Sequence, residues 1–581
     1  MAMQKVSSFV FFLRGVEITS SEMDPGSNIW PLQVLRDRAK RRGRQFATGF
    51  LRIGNPEYEG DRFYTLTWSD ICNRVEKYAL YLQSIGLKAG DRIAIHSKNR
   101  VEWVLLDWAA ISAGFVTVPV YAQSHIDELK YILKESETKI LFVENQIQDL
   151  SCRQISFAEL EVQAQPMTGT FYLPEGRSPN EIISISYTSG TSGVPKGVMH
   201  SLRNFYEGIT RANEVVKIRQ SDVLLSYLPL SHVVERSLVE FGSLYIGASV
   251  YYLDRVEKLS QFLPKVRPTI FAAVPRIWDM IRGRIERELD QPDLQQRLQK
   301  IPFFLRGFLV RRFLRQRLGF SRARLLLSGA AKLRVETIAK MKELGMPIIQ
   351  GYGLTETLPV TAVVPTKSAK EKSDGSVGKA FRGVEIRIEK DGEVCLRAPF
   401  MFKGYSQHPE LTAEVLSQDG WFSTGDIGHL DEYGNLYITD RKKNLFKATN
   451  GKYIAPLPIE NLLRENPAIR EVIVIGEDRP HCIAVASIDE KFFSESAFLD
   501  FLDRVNSKLA SHEQVKSVGC MKNSWSTESG ELTPTQKVKR KVVMQKYASE
   551  IDQLYSSRSR VRVFDQQDMK EREVRRAHPG F

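Results

Sequence analysis

Cysteine is scarce in this chain, and the few cysteines that occur lie far apart. The 581 residues include five cysteines, and no two of them form a Cys-x-x-Cys pair. Zinc sites commonly use Cys-x-x-Cys pairs, and disulfide frameworks are typical of small, cysteine-dense chains, so the sequence argues against both. Scattered single cysteines favour a reducing compartment, and we predict a cytoplasmic location. The five are Cys72, Cys152, Cys395, Cys482 and Cys520.

A long uncharged hydrophobic run is also missing. The best candidate, Trp108 to His125, contains a glycine and a proline and reads as a helix followed by a strand, so it is a poor membrane span. The apolar stretch from Val6 to Leu13 is short and has no Ala-x-Ala cleavage site. We therefore predict no transmembrane helix and no secretion, and we interpret residues 1–50 as an N-terminal extension.

Acidic residues are fewer than basic ones, which leaves a formal net charge of +13. Such an excess favours an anionic partner, but charge alone does not say which one. Nucleic acid is disfavoured because no RRM, zinc-finger or helix-turn-helix signature accompanies the charge. We predict a peripheral contact with an anionic membrane and no nucleic-acid partner.

Helix and strand signals alternate from Phe63 onward, which is typical of an α/β protein. A chain of this length with 42% hydrophobic residues can form several cores, so we expect two or more domains. We predict an α/β fold with a large multi-subdomain N-terminal domain over residues 51–440. A small, mobile C-terminal α+β lid is predicted over 441–556, and a charged tail over 557–581.

The most informative stretch is a loop of small residues after Tyr187. It follows an alternating apolar strand and precedes an amphipathic stretch with Ser201 as the expected N-cap, so we predict strand, phosphate loop and helix. Glycines expose backbone N–H groups, hydroxyls add donors and a lysine adds a cation, so the loop can wrap a polyphosphate. The spacing is not that of a Walker sequence, and the alternative is a flexible linker. The candidate phosphate-binding residues are Thr188, Ser189, Gly190, Thr191, Ser192, Gly193 and Lys196.

A second glycine-aromatic turn begins at Gln350 and ends at Thr357. Tyr352 offers a flat face for a base, Thr355 a hydroxyl for a phosphate and Glu356 an oxygen ligand for Mg²⁺. The alternative is an ordinary turn with its tyrosine ring in the core. Further along, Asp426 is predicted in a turn at a strand end, where it can accept hydrogen bonds from ribose hydroxyls or form an Asx-turn.

Two other features each have a functional and a structural interpretation. His232 follows a proline-containing turn and is either a site residue or a structural histidine. The segment from Ile301 to Phe320 contains five arginines, no acid and many large apolar residues, which suits a membrane surface. The alternative is a helix packed into the domain with its arginines exposed.

Together the motifs resemble the adenylate-forming superfamily of acyl-CoA synthetases, firefly luciferase and peptide-synthetase adenylation domains. The spellings Leu-Pro-Leu-Ser-His-Val-Val-Glu-Arg and Asp-Arg-Lys-Lys-Asn-Leu-Phe-Lys are most similar to its long-chain fatty acyl-CoA synthetase branch. The resemblance rests on six ordered blocks: Tyr187 to Gly197, Leu228 to His232, Gln350 to Thr357, Ser423 to Asp426, Asp440 to Lys443 and Pro534 to Lys537.

Three departures from the family pattern are Lys332, Gln536 and the pair Leu457-Pro458. We expect the chemistry to be intact, with Pro458 in the first turn of a helix.

The resemblance implies a fatty acid:CoA ligase. Such an enzyme joins a fatty acid to AMP from ATP, releases pyrophosphate and then passes the acyl group to coenzyme A. The implied substrates are a long-chain fatty acid, ATP and CoA, and the implied metal is Mg²⁺. The sequence leaves the oligomeric state open, with a homodimer as one choice.

The resemblance also implies a role for each candidate residue. The lid would turn about Lys443 between the half-reactions, removing Lys537 and bringing the Gly451 loop to a thiol channel. The implied catalytic residues are Thr188, His232, Glu356 and Lys537, with Glu356 also the metal ligand. The implied nucleotide- and CoA-binding residues are the phosphate-loop set with Gln350, Gly351, Tyr352, Gly353, Thr355, Asp426, Arg441, Lys443 and Gly451.

Two other functions are compatible with the resemblance. One is an acyl-AMP ligase that delivers its acyl group to a carrier protein instead of CoA. The other is a catalytically silent relative that binds nucleotide or lipid, against which the intact Lys196, Glu356 and Lys537 argue.

Overall fold

The chain forms a large N-terminal part and a smaller C-terminal part that meet near Arg441. The computed structural model describes residues 29–50, 63–189, 194–331, 333–358, 361–363, 375–447, 453–527, 529–533, 537–557 and 559–565. Four predicted site residues of the phosphate loop, Gly190 to Gly193, and the predicted Gly451 lie outside the described residues, as do Lys332 and Gln536.

The regular elements follow one another as listed here in chain order. The strands are β1 Phe46–Phe50, β2 Tyr64–Thr67, β3 Arg92–His96, β4 Val116–Val120, β5 Ile140–Val143, β6 Arg153–Ser156, β7 Ile182–Ser189, β8 Pro195–Ser201, β9 Val223–Ser226, β10 Ser249–Tyr252, β11 Ile270–Ala273, β12 Leu325–Ser328, β13 Ile348–Tyr352, β14 Ala362–Val363, β15 Lys379–Ala380, β16 Glu385–Ile388, β17 Glu393–Arg397, β18 Phe422–Leu430, β19 Leu436–Arg441, β20 Phe446–Lys447, β21 Tyr453–Ile454, β22 Ile469–Ile475, β23 Cys482–Ile488, β24 Val515–Met521 and β25 Val561–Phe564. The α-helices are α1 Pro31–Arg42, α2 Trp68–Ser84, α3 Val101–Ala113, α4 Ile126–Glu135, α5 Phe157–Ala164, α6 Leu202–Val216, α7 Gly242–Ile246, α8 Leu259–Val266, α9 Pro275–Leu289, α10 Pro292–Gln299, α11 Phe303–Arg317, α12 Val335–Glu343, α13 Pro409–Val415, α14 Pro456–Leu463, α15 Glu495–Ser507, α16 Arg540–Lys546 and α17 Ala548–Ser556.

The first sheet has six strands in the order β6-β5-β3-β4-β7-β8. Its first five strands are parallel, and β8 returns antiparallel to β7. The apolar runs of β4 and β5 are buried along their whole length, as expected for parallel strands covered on both faces. These two buried strands were predicted from sequence and are confirmed.

The second sheet has nine strands in the order β15-β14-β13-β12-β11-β9-β10-β1-β2. Strand β1 pairs with β10 in parallel and with β2 in an antiparallel ladder, and Leu32 and Leu35 of α1 are fully buried. The predicted N-terminal extension over residues 1–50 is therefore wrong for residues 29–50, which form part of the large fold. Strand β1 pairs with β10, which is about 200 residues away in the chain, and the pattern of neighbouring residues does not predict such a pairing.

Helix α3 lies in the core between these two sheets, and every one of its residues is buried. A helix without a polar face is stable only when it is covered on all sides. Its polar residues are Glu102, Asp107 and Ser112, and Asp107 forms a buried ion pair of 2.6 Å with Arg236. This pair ties α3 to the π-helical segment Glu235–Phe241.

A third, antiparallel sheet of order β16-β17-β18-β19 leads into the C-terminal part. There, β22, β23, β24 and β25 form a four-stranded mixed sheet, packed against α14, α15 and α17. Strand β25 lies inside the predicted charged tail over residues 557–581, so that prediction is wrong for residues 561–564. Val561 and Phe564, at the two ends of β25, are buried in the two separate apolar clusters of the C-terminal part, which holds this short segment to the sheet.

Two predictions from composition can be compared with the structure. Among the described residues, no helix is long and apolar enough to cross a bilayer. All five cysteines are free thiols.

Candidate active site

The phosphate-loop sequence lies at the tip of a β-hairpin. Strands β7 and β8 pair so that Thr188 stands opposite Lys196, which places a hydroxyl and an ammonium at the base of the loop. The predicted order of strand, loop and helix is wrong, because β8 intervenes before the helix. Ser201 nevertheless caps α6 as predicted, since its hydroxyl accepts from the Asn204 N–H while the Asn204 side chain accepts from the Ser201 N–H.

Tyr405 joins this hairpin to the second glycine-aromatic turn. Its hydroxyl donates a 2.8 Å hydrogen bond to Glu356 Oε1, and Lys196 Nζ lies 5.2 Å from its ring centroid. Burial and the adjacent Glu356 carboxylate raise the pKa of Tyr405, so it stays a neutral donor. The sequence analysis missed Tyr405, although the Gly404-Tyr405 pair repeats the glycine-aromatic signal noted at Gly351-Tyr352.

A buried histidine supports the same turn from behind. His200 of β8 is fully buried, and its Nε2 lies 2.8 Å from the Thr355 carbonyl oxygen. Burial lowers the pKa of His200 to about 4. The ring is therefore neutral near pH 7, and because a carbonyl can only accept, Nε2 carries the proton. This contact fixes the backbone that presents Glu356 and was also missed from sequence.

The fit of Mg²⁺ rests on the Glu356 carboxylate. One of its oxygens accepts from Tyr405, and the residue is only partly buried. Within the described ranges no three acidic, histidine or cysteine side chains form a metal cluster. Mg²⁺ that arrives with a nucleotide commonly uses one or two protein carboxylates together with phosphate oxygens and water, so a single glutamate fits this ion.

Asp426, Tyr352 and Arg441 form a compact polar group. Asp426 lies within β18 opposite Arg441 of β19, so its predicted position in a turn at a strand end is wrong. The Tyr352 hydroxyl donates a 2.6 Å hydrogen bond to one carboxylate oxygen of Asp426, and Arg441 Nε lies 2.5 Å from the other. Burial raises the pKa of Asp426, while the Arg441 guanidinium and the Tyr352 hydroxyl oppose that rise.

The ring of Tyr352 packs in the core as the structural alternative predicted. It is 9% exposed and lies in an apolar cluster with Ala362, Leu396 and Leu436. Its hydroxyl, however, reaches the Asp426 carboxylate. The neighbouring Gln350 is buried and donates 3.3 Å to the Ser376 carbonyl, while Gly351, Gly353 and Thr355 are partly exposed along the same turn.

The turn that precedes His232 is held by Asn99, which belongs to another loop. Asn99 donates to the Leu228 carbonyl at 2.6 Å and accepts from the Leu230 N–H at 2.9 Å. His232 Nδ1 accepts from the Val234 N–H at 3.2 Å. Burial and the positive charge of Lys537 lower the pKa of His232 to about 3. His232 is therefore neutral, and Lys537 from the C-terminal part lies close enough to affect it.

Lys537 also interacts with the polar group around Asp426. Burial and the Arg441 guanidinium lower the pKa of Lys537 to about 8, and Asp426 partly offsets them. The residue as a whole is exposed, so its ammonium lies near these protein charges without being sealed from water. Its backbone is held by Thr533, whose Oγ1 accepts from the Lys537 N–H at 2.9 Å. The C-terminal part thus presents Lys537 toward both His232 and Asp426.

The connection between the two parts is anchored on one side. Lys442 Nζ lies 2.7 Å from carboxylate oxygens of both Asp391 and Glu393, which hold it to the large part. The next residue, Lys443, has a pKa lowered to about 8 by burial and by the nearby Arg441 guanidinium. The Asp440 carboxylate accepts from the Leu457 N–H at 2.8 Å at the start of α14.

One of the three departures from the family pattern, Pro458, lies in helix α14. Pro458 occupies its first turn, as predicted.

An apolar crevice lies beside the Glu356 turn, between α6 and the segment from Ser237 to Ile246. It is narrow, with a free volume of only about 20 Å³ apart from the space that is open to solvent. A Cβ atom at Gly208 would lie 2.9 Å from Leu358 Cδ1, so this glycine keeps the passage beside Leu358 open. Other apolar groups in its wall come from Ala212, Val216, Leu238 and Ile246.

Comparison with known proteins identifies the class. Residues 35–406 match the family model of the AMP-binding enzymes, and residues 444–559 match that of the AMP-binding enzyme C-terminal domain. The chain therefore belongs to the AMP-binding, adenylate-forming enzymes, in the fatty acyl-CoA synthetase branch. The two-part α/β fold described above agrees with this assignment to the ATP-dependent, AMP-forming acyl-CoA ligases.

Particular relatives make the comparison more specific. A long-chain-fatty-acid–CoA ligase, FadD15 of Mycobacterium bovis, is 30% identical over 560 residues, covering 84% of this chain and 92% of the relative. The peroxisomal long chain acyl-CoA synthetase 6 of Arabidopsis thaliana is 29% identical over 557 residues, covering 81% and 78%.

Solved structures agree with the fold. The anthranilate CoA ligase AuaEII in complex with anthranoyl-AMP has a TM-score of 0.74 at 20% identity, with 91% of this chain and 98% of that chain covered. A Mycobacterium tuberculosis fatty acyl CoA synthetase has a TM-score of 0.63 at 22% identity, with 90% and 99% covered.

Proposed function

We propose that this protein is an AMP-forming long-chain fatty acid:CoA ligase. The observation that carries the proposal is that Lys537, from the C-terminal part, lies near enough for its charge to act on both His232 and Asp426. Adenylation brings an acyl carboxylate and a nucleotide phosphate together, and a positive charge close to both anions stabilises their approach. The long-chain ligases among the relatives support the substrate class.

In the first half-reaction, a carboxylate oxygen of the fatty acid attacks the α-phosphorus of ATP. An oxygen–phosphorus bond forms, the bond to the leaving pyrophosphate breaks, and acyl-AMP results. Two anions have to approach each other, so a cation at the point of attack lowers the barrier. Lys537 has this role in our proposal, with Asp426 and Arg441 orienting the ribose.

The polyphosphate end is assigned to the β7–β8 hairpin and the Glu356 turn. Thr188 and Lys196 face the loop from its base and bind phosphate oxygens, together with Ser189, Thr191 and Ser192 and the backbone N–H groups of Gly190 and Gly193. Glu356 would hold Mg²⁺, and the ion would supply positive charge beside the phosphates. Tyr405 orients the Glu356 carboxylate through its hydroxyl and keeps Lys196 over its ring.

The acyl chain is assigned to the path marked by the narrow apolar crevice beside Leu358, whose walls have to move apart to admit it. His232 is neutral because burial lowers its pKa to about 3, so it can border an apolar chain without bringing in a charge. The crevice walls are alkyl groups and small residues, which suit a hydrocarbon. Burying a methylene there contributes about 0.8 kcal/mol, so chain length is selected by how much of the chain fits.

In the second half-reaction, the sulfur of CoA attacks the acyl carbon, the thiol proton is released and AMP leaves. We propose that the lid turns about Lys443 before this step. Lys442 remains fixed to Asp391 and Glu393, so a change of backbone angles at the following residue moves the lid relative to an anchored base. The Gly451 loop, at the start of the lid, is assigned to the CoA channel.

The deciding experiment measures conversion of ATP to AMP across a panel of carboxylic acids, with and without CoA. A long-chain ligase consumes palmitate and CoA together and gives palmitoyl-CoA. Release of acyl-AMP without use of CoA, with transfer to an acyl carrier protein, would identify the carrier-protein ligase instead. ATP binding without turnover of any acid would identify a silent relative.

A further inference from the structure

Helix α11 exposes large apolar side chains on the face that points away from the protein. Its C-terminal half is anchored by Leu314, which is fully buried, and by Leu318 just beyond its end. Phe304 is 80% exposed and Phe308 64% exposed. At 100° per residue, Phe304 and Phe308 are rotated by about 80° and about 120° from Leu314, so they lie on the flank and toward the outer side of the helix. The helix is therefore apolar on both its packed and its outer side.

The exposed apolar group is continuous along the helix. The outer surface, which we call the α11 patch, consists of Phe303, Phe304, Leu305, Phe308, Leu309 and Phe313, each at least 37% exposed. Isolated surface leucines are common and need no explanation, but a continuous group of four phenylalanines and two leucines marks an interaction surface.

The charge around the patch is of one sign. Five arginines and no acidic residue occur between Phe303 and Arg317. Arg306 and Arg315 donate to backbone carbonyls, and Arg317 pairs with Glu288 at 3.5 Å.

The two remaining arginines face outward. Arg311 and Arg312 are exposed, and neither forms an ion pair or hydrogen bond within the part of the chain that the structure describes. They are available to an anionic partner.

We propose that the α11 patch docks the enzyme onto the surface of an anionic lipid bilayer. Phenylalanines insert at the boundary between headgroups and acyl chains, while arginines remain level with the phosphates. Charge complementarity favours anionic lipid over a second copy of this chain, because two basic patches repel each other. A helix of 15 residues is about 22 Å long, shorter than the hydrocarbon core of about 30 Å, so it lies on the bilayer and does not cross it.

The inference is independent of the proposed substrate, because it is tested by binding alone. The full-length protein is sedimented with phosphatidylcholine vesicles that contain or lack phosphatidylglycerol, at low and high salt. We expect binding to the anionic vesicles that weakens as salt is raised. Wild-type protein that ignores anionic vesicles at low salt overturns the proposal.

Two double variants separate the apolar and the charged contributions. Phe304→Ser with Phe308→Ser should weaken vesicle binding strongly, since two of the four phenylalanines of the α11 patch are lost. Arg311→Gln with Arg312→Gln should weaken binding to anionic vesicles by about 30-fold, because each arginine near an anionic surface contributes about fivefold, and should leave the residual binding less sensitive to salt. All four side chains are exposed, so the thermal unfolding of both variants should match wild type.

Matched controls remove an exposed phenylalanine or two arginines from surfaces outside α11. Phe492→Ser removes an exposed phenylalanine from the C-terminal part, and Arg41→Gln with Arg44→Gln removes the same net charge beside α1. Both controls should bind vesicles like wild type. Equal losses of vesicle binding in the controls would mean that net charge or general hydrophobicity causes the binding. That result would overturn the assignment to α11.

A depth measurement gives the most direct evidence. Phe308→Trp should retain binding and add an emission component that shifts to the blue with vesicles and is quenched by brominated acyl chains. A patch that binds a second copy instead would give a concentration-dependent dimer, lost in the double serine variant, without quenching by brominated lipid. That result would overturn the proposal.

Discussion

The Tyr405 hydroxyl donates a 2.8 Å hydrogen bond to the Glu356 carboxylate, and the two residues are 49 positions apart in the chain. The Phe402 N–H donates to the Glu356 carbonyl at 2.8 Å, so side chain and backbone of Glu356 are both held by the segment around Tyr405. Tyr405 bonds only one of the two carboxylate oxygens, and Glu356 is partly exposed, so an ion or water can reach the carboxylate.

Removing only that hydroxyl tests its role. Tyr405→Phe keeps the ring under Lys196 and should lower kcat/KM for MgATP by about 10- to 100-fold, because a hydrogen bond to a charged group contributes about 1.5–3 kcal/mol. The Mg²⁺ concentration needed for half-maximal rate should rise as well. Tyr433→Phe, at an exposed tyrosine, is the matched control and should behave like wild type. An unchanged Mg²⁺ dependence would mean that Tyr405 only packs.

The lid lysine should act on one half-reaction. We expect Lys537→Ala to slow formation of acyl-AMP by about 100-fold or more, the scale for losing one well-placed stabilising charge of about 3 kcal/mol. Pre-formed acyl-AMP with CoA should still give acyl-CoA at nearly the wild-type rate. Single-turnover kinetics of each half-reaction measures this, and an equal loss in both would contradict the assignment.

The proposed hinge should show the opposite bias. Lys443→Pro fixes φ and removes an N–H at the residue after the anchored Lys442, so it should hinder the turning of the lid. Adenylation should proceed while thioester formation slows. Lys443→Ala, which keeps the backbone free, is the control and should retain more of the second step. A proline variant that loses adenylation instead would argue against a hinge here.

The pH dependence of adenylation should report Lys537. Its pKa is lowered to about 8 by burial and by Arg441, and only the ammonium form can neutralise the developing charge. As pH rises through about 8 the ammonium is lost, so kcat/KM for pyrophosphate release should fall above that pH. Lys537→Arg stays charged over this range and should remove the fall, whatever its absolute rate.

Lys443 needs a separate control because its pKa is also lowered to about 8. Lys443→Gln should keep the fall in kcat/KM. If the fall disappears in Lys443→Gln and persists in Lys537→Arg, it belongs to the hinge lysine.

The acyl crevice predicts chain-length selection. Acids of roughly twelve to eighteen carbons should be turned over faster than acetate by orders of magnitude, because each buried methylene contributes about 0.8 kcal/mol until the passage is full. Gly208→Val should penalise long acids far more than short ones, because a Cβ there already lies 2.9 Å from Leu358 Cδ1. The measurement is turnover across the acid series. Equal use of acetate and palmitate by wild type would remove the basis of the assignment.

Signals that depend on neighbours in the chain were predictable. The Ser201 cap is made with Asn204, three residues on, and Pro458 sits in a helical first turn; both follow from local backbone geometry. The buried strands β4 and β5 follow from their continuous apolar runs. The ordered motifs likewise indicated the family, because each motif is a short contiguous stretch.

Contacts between distant segments were not predictable in the same way. The return strand β8 has a composition that also suits a loop, and its pairing with β7 decides its structure. Residues 46–50 become a strand because β10 offers a partner, and residues 561–564 do so because β24 has an open edge. Edge pairing depends on which strand ends are left uncovered after the rest has folded.

The sequence by itself determined which chemical groups are available: Lys196 and its hydroxyl-rich loop, Glu356, Asp426 with Arg441, and Lys537. These are fixed by residue type and by order along the chain. The tertiary structure alone decided that Tyr405 holds Glu356, that the charge of Lys537 reaches both His232 and Asp426, and that the phenylalanines of α11 are exposed. The physical reason is that burial and pairing depend on distances between segments far apart in sequence, and local patterning carries no measure of those distances.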